Sequence, residues 1–430
     1  MRSVCAVWIL LFFMGLLARE SAVAAEQKEG PFVIHRIAID ARDPKIVYAA
    51  TSNYGILKSG DGGTTWALIN QGLGSYTHHA VAIDPSDPNI LYVGAWGGGV
   101  SKSVDRGMHW TDRNRGLGNT AIEDLVLDPA HPQKVYVATT SGVFKSPDGG
   151  ASWIYYSEGL PVARIEIYER LIALPSGPIE LLLGTSRGLF KRERNASKWE
   201  AVPGTVQEEH HITAFVLEPK TGLLYMGTVK NGLFRSRDGG ETWAALGGGL
   251  KNIWISDIAL DPRQPGIIYA STRGNGVMKS SDGGAIWKQI NNGLPVKDVR
   301  SLVIAPESSK VLYAGTTSQG LVRTIDGGKR WDSLKGYPFL SIAEIVASLT
   351  PSVERPKSSP PPSVPAEFFK CNRCHGWADP LLNSKKTYWR VPPNQRDWGL
   401  TVGRMSPRAH LTPEESNKIV DFLTRYSMDH

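Results

Sequence analysis

The chain has 430 residues, a net charge of +7 and three cysteines. That length exceeds what one hydrophobic core normally serves, so more than one domain is expected. Three cysteines exclude a disulfide-stapled scaffold, and the dispersed Lys and Arg residues form no tract of the kind that marks a nucleic-acid surface.

The chain opens with Arg2, an apolar run from Val4 to Leu17, and the small residues Ala22-Val23-Ala24-Ala25. This is the pattern of a cleavable export signal, placed here at residues 1–25. The run is shorter than the about 20 residues that span a bilayer. No later stretch reaches that length, so no membrane span is expected after cleavage. Cys5 would leave with the signal, and only Cys371 and Cys374 would remain. An exported chain, periplasmic in a bacterium, is implied.

Residues 31–349 are dominated by repetition, which takes precedence over any local assignment. Trp66, Trp110, Trp153, Trp199, Trp243, Trp287 and Trp331 recur at intervals of 43 to 46 residues. Each closes the same phrase. The first copy reads Ser59-Gly60-Asp61-Gly62-Gly63-Thr64-Thr65-Trp66, and Asp105, Asp148, Asp238, Asp282 and Asp326 stand five residues before their tryptophans. A tight turn between strands needs Gly where φ is positive, and an Asp carboxylate can accept backbone N–H groups across it. The Trp is expected to pack the turn onto its own blade. In the fourth copy, residues 192–199, only Trp199 survives, so that blade needs a differently built turn.

Between boxes the sequence alternates as short strands do. The third repeat offers strands at 124–128, 134–139 and 142–146, with a fourth from Trp153. Four strands in about 44 residues make one β-propeller blade, and seven repeats make seven blades. The phrases resemble the Asp-box, or BNR, repeat of the photosystem II assembly-factor-like and sialidase-like propellers. Residues 342–349 have the position of an opening strand of an eighth, unfinished repeat, which either pairs at ring closure or leads out of the ring.

Aligning the repeats on the turn after the first strand puts His35, His79, Glu123, Glu169, Thr213, Ser256 and Arg300 at one equivalent strand-start position near the channel mouth. His35, His79, Glu123, Glu169 and Arg300 form the candidate ligand ring. Two His and two Glu there suit a metal or a polar ligand; ordinary solvated strand ends are the plainer alternative.

Residues 350–365, with Pro360-Pro361-Pro362, read as a semi-rigid linker. Beyond it, at 366–430, stands Cys371-Asn372-Arg373-Cys374-His375, the C-x-x-C-H pattern of covalent haem attachment. Two thiols at this spacing can each bond a vinyl carbon while the adjacent imidazole binds the iron. A structural zinc site would need further ligands, and a thioredoxin-like C-x-x-C would follow a strand. Helices are expected at 366–374, 395–405 and 413–426; Thr412-Pro413-Glu414-Glu415 starts the last with a capping box. The segment resembles a small all-α class I cytochrome c. That resemblance implies one covalent haem c, with Cys371 and Cys374 as thioether sites, His375 as proximal iron ligand and Met405 as distal ligand. His410, Met428 or an open iron position are the alternatives.

The expected fold is therefore multidomain: an all-β seven-bladed propeller followed by a small all-α cytochrome domain. Met/His ligation suits electron transfer, with the propeller docking a redox partner. The alternative is a periplasmic oxidoreductase, or a glycan-acting enzyme of the sialidase or xyloglucanase kind, with its active site on the propeller. Against a sialidase, no Arg-Ile-Pro-type motif precedes the first box.

Overall fold

The computed structural model describes residues 33–161, 168–205, 211–306, 308–335 and 337. The export signal, the segment at 342–349, the linker and the whole of 366–430 lie outside the described residues. So do Cys371, Cys374, His375 and Met405.

The described residues form seven four-stranded antiparallel sheets, each built from four consecutive strands in order. They are blades 1 to 7, at 34–68, 78–112, 122–155, 168–201, 212–245, 255–289 and 299–333. Burial grades outward along each blade. In blade 1 the second strand, Val47–Thr51, is wholly buried, whereas the outermost, Ala67–Leu68, is only two residues long and partly exposed. A strand covered on both faces by neighbouring blades can be continuously apolar; the outer rim cannot.

Among the described residues there is no single core. The apolar residues form seven clusters, one in each gap between facing blades. The cluster joining Ile34, Val47 and Trp66 to Tyr313, Leu321 and Leu334 closes the ring between blades 1 and 7.

The box turns are built as their residues require. Asp61 accepts the backbone N–H groups of Thr64 and Thr65 at 2.9 Å, and Ser59 Oγ accepts that of Gly63 at 2.7 Å. Gly62 and Gly63 stand at φ 71° and 89°, in the left-handed region where a side chain is strained. The amide and hydroxyl of Thr65 hold the Asp61 carboxyl at about 2.

The box tryptophans depart from expectation. Trp110, Trp153, Trp199 and Trp331 reach across to the preceding blade, each donating Nε1–H at 2.6 Å to the carbonyl of Ile69, Arg113, Tyr156 or Ile290. Only Trp243 and Trp287 bond their own turn, at Gly240 and Gly284. The indole is long enough to bridge the gap between sheets, where its apolar area is better buried.

A second clasp runs the other way. Tyr48 and Lys58 of blade 1 donate to the Arg106 carbonyl in the box of blade 2. Tyr92 and Lys102 of blade 2 donate to Gly149 in blade 3. Tyr313 and Arg323 of blade 7 donate to Gly62 in blade 1. Blade 4 has lost its box, and Glu180 takes over: it accepts from Tyr136 and Tyr156 at 2.7 Å and from Lys145 at 3.2 Å. Burial opposes the Glu180 charge, but these three donors outweigh it and lower its pKa, while burial and Glu180 push the Tyr136 phenol up.

Glu180→Ala strands one buried donor, Tyr136, and two part-buried ones, Tyr156 and Lys145, and is expected to cost about 3 kcal/mol in urea unfolding. Glu241→Ala, at the more exposed Lys191 pair, should cost less than about 1 kcal/mol.

Candidate functional site

One backbone irregularity builds the channel. In every innermost strand the pairing with the second strand skips one residue: Ile34 faces Thr51 and Arg36 faces Ala50, which leaves His35 looped out. The same skip occurs at His79, Glu123, Glu169, Thr213, Ser256 and Arg300. Such a bulge sets two residues against one and re-aims a side chain. The ring aligned from sequence is thus the ring of bulged residues. It also explains why the inner strand of blade 3 begins at Ile122, two residues before the alternation at 124–128 suggests.

Four of the five candidate side chains form a continuous chain across blades 7, 1, 2 and 3. Arg300 Nη1 donates to His35 Nδ1 at 3.0 Å, and His35 Nε2 then donates to Ser52 Oγ at 2.6 Å. The His35 and His79 rings stack at 4.3 Å, and His79 Nδ1 meets Glu123 Oε2 at 3.1 Å. Glu169 stands at the matching bulge of blade 4. Thr213, from blade 5, bonds instead to the backbone carbonyls of Gly227 and Ile255.

This geometry does not suit a metal. Both ring nitrogens of His35 are committed, and among the described residues no three His, Cys, Asp or Glu side chains group to hold an ion. Burial, then the nearby His79 and Arg300, lower the His35 pKa well below its ordinary value, so the ring stays neutral.

Two sets of residues were missed from sequence. The first is one position further in, where Arg36 reaches past Ala80 to Asp124 at 2.6 Å and Arg170 donates to the Thr213 carbonyl at 2.8 Å. Asp124 also accepts the Leu171 amide, and Asp257 accepts those of Ile258 and Leu302. Burial works against the Arg36 charge, but Asp124 and Asp257 outweigh it and raise its pKa. These charges fill the channel below the mouth. Their signal was a charge set in an otherwise apolar inner strand.

The second set lies on the rim. Trp96 follows the second strand of blade 2, and Arg273 that of blade 6, bonded through their amides to Thr77 and Trp254. Trp96 lies 5.3 Å from the His79 ring, and the Arg273 guanidinium sits 5.2 Å over Trp254 while contacting Asp298 at 3.3 Å. Aligning the repeats on the end of the second strand would have found them.

No protein-family model matches the chain, and no curated protein matches it. Solved structures do. The chain is similar to the GH74 xyloglucanase of Xanthomonas campestris, at 17% identity over 71% of this chain and 55% of that one, with a TM-score of 0.60. It is similar to YCF48 bound to D1 peptide, at 18% identity over 69% and 93% of the two chains, with a TM-score of 0.52. PorZ, an essential surface component of the type-IX secretion system of Porphyromonas gingivalis, matches at 19% identity over 66% and 45%, with a TM-score of 0.52. The chain spans about half the length of the xyloglucanase. At these identities the likeness establishes the fold, a seven-bladed β-propeller. Among the described residues no helix is long and apolar enough to cross a membrane.

His78 opens the inner strand of blade 2 where other blades carry Ile34, Ile122, Ile212, Ile255 or Val299. It is buried, and burial, then His79, lowers its pKa to about 3. Unfolded histidine takes a proton near about 6.5. The unfolded chain therefore binds more protons below that pH, and stability falls from there towards about pH 3. His78→Ile should remove up to about 1.4 kcal/mol per pH unit of that slope. Urea unfolding at about pH 7, 5.5 and 4.5 reads the difference, which should vanish above pH 7 apart from a constant offset.

Proposed function

We propose that this chain is an exported monohaem c-type cytochrome that transfers electrons, with its propeller as the docking module for a redox partner protein. The observation that carries this reading is Cys371-Asn372-Arg373-Cys374-His375. Its donor set fits covalent haem: two thiols for thioether bonds, and an imidazole next to the second. Haem held in this way supplies a one-electron Fe(III)/Fe(II) couple. His375 would hold the proximal side and the Met405 thioether the distal side, a pairing that favours the reduced state and suits electron transfer. The propeller reading draws support from YCF48, described with D1 peptide bound. Export draws support from the N-terminal signal pattern and from propeller neighbours that are surface or extracellular components.

A glycan-acting enzyme is the second reading, favoured by the likeness to the xyloglucanase fold. Glycoside hydrolysis needs two carboxyl groups available to the scissile bond. In the described channel Glu123 is engaged with His79, Asp298 with Arg273, and Asp124 with Arg36. None of these pairs leaves two carboxylates at the disposal of a substrate.

Haem should stay on the polypeptide through denaturation and acid-acetone extraction, and cleavage between residues 351 and 365 should release a colourless propeller and a red fragment. Free extraction of haem from the wild-type chain would refute the attachment.

Met405→Ala should open the sixth iron position, lower the potential and admit carbon monoxide to the reduced protein, with His410→Ala and Met428→Ala unchanged. Rapid carbon monoxide binding by the wild type would show that Met405 is not the ligand.

A further inference from the structure

The gap between blades 4 and 5 lacks the plug that closes the others. In five of the remaining gaps a leucine from the turn after the outermost strand shares a cluster with the next box tryptophan: Leu73 with Trp110, Leu117 with Trp153, Leu160 with Trp199, Leu250 with Trp287 and Leu294 with Trp331. Tyr337 does the same for Trp66. Blade 4 ends instead in Val202-Pro203-Gly204-Thr205, which offers no leucine. Its Val202 carbonyl, in the place of Ile69 in blade 1, already accepts the Thr205 amide at 3.2 Å and the Thr205 hydroxyl at 2.7 Å. Trp243 turns back to Gly240, and of the seven box tryptophans it alone is not buried.

The described residues enclose a cavity of about 460 Å³ there, the size of a small-molecule site. Trp243 and Phe234 line it with the fully buried Met226, and Lys191, Glu200 and Glu241 supply its charges. Lys191 stands directly across the strand pair from Glu200, yet its ammonium goes to Glu241 at 2.7 Å and to Glu193 at 3.3 Å. Glu200 is left exposed, with no ion pair among the described residues.

The combination is selective. A ligand that satisfies it has an apolar face for the two rings, which also attract organic cations, and a cationic donor for Glu200. An anion meets Glu200 and a lysine already held by two carboxylates. A neutral apolar molecule covers Glu200 and leaves its charge unpaired. A bare metal ion lacks its ligands, since among the described residues no three His, Cys, Asp or Glu side chains group to hold one.

We propose that the cleft between blades 4 and 5 binds a small aromatic amine, with its ring against Trp243 and Phe234 and its ammonium on Glu200. The site is built on the outermost strand of blade 4 and not on the channel-lining strands. It is independent of the haem reading and needs no bond to be made or broken.

Calorimetric titration of the full chain with tryptamine tests the proposal. Saturable binding should occur, and Glu200→Gln, a change at an exposed side chain, should weaken it about tenfold. Trp243→Ala should weaken it as well. Asp332 opens the outermost strand of blade 7 as Glu200 opens that of blade 4, and Asp332→Asn should bind as the wild type does. Indole acetate, which keeps the ring and reverses the charge, should bind at least about tenfold less tightly. Equal binding of indole acetate, or undiminished binding in Glu200→Gln, overturns the assignment of the ammonium to Glu200. Equal loss in Asp332→Asn, or indifference of the wild type to tryptamine, overturns the proposal.

Discussion

Everything at the centre of this propeller depends on one extra residue in each innermost strand. A regular strand would send every second side chain towards the neighbouring blade, and the channel would receive one residue per blade. The skip between Ile34 and Arg36, repeated in all seven blades, gives it two tiers. The outer tier holds the His35, His79, Glu123 and Arg300 chain. The inner tier holds Arg36, Asp124, Arg170 and Asp257, interleaved with the small residues Ala80, Ala214 and Ser301. The small residues matter as much as the charges, because Arg36 in blade 1 can meet Asp124 in blade 3 only by passing over Ala80. Desolvating such groups is costly unless each is paired, and the tier meets that condition with guanidiniums, backbone amides and backbone carbonyls.

Ring stability has a different origin, in the gaps between blades. Seven separate apolar clusters mean that each blade is stable only against its neighbours, as expected where one supersecondary unit cannot bury both of its faces. The polar clasps at the box turns then fix how the sheets face each other. Blade 4 shows that the clasp, and not the Asp box, is the requirement. Its turn has lost the Asp and both glycines, yet Glu180 supplies an acceptor to Tyr136 and Lys145 where a box carbonyl serves Tyr92 and Lys102.

The blade count was legible in the sequence because it rests on a period, and a period survives the loss of any one copy. The strand-start ring was legible for the same reason. Its contacts were not, since Arg300 and His35 are 265 residues apart and meet only because the ring closes. The bulge was illegible because it is a property of two paired strands, visible in neither alone. The Trp reading failed on similar grounds: one linear phrase ends in Trp110, but the carbonyl it bonds belongs to the preceding copy. The C-x-x-C-H motif is the opposite case, for the haem attachment proposed from it rests wholly on five consecutive residues.

The division of labour follows from where reactive groups are free and where they are committed. In the described propeller the carboxylates that face the channel are tied to guanidiniums, to an imidazole or to amides, and the neutral His35 has both nitrogens in use. The proposed electron chemistry would lie instead with Cys371, Cys374, His375 and Met405, beyond the Pro-rich stretch at 350–365 in the sequence. On that proposal the propeller and the C-terminal segment need not share a site.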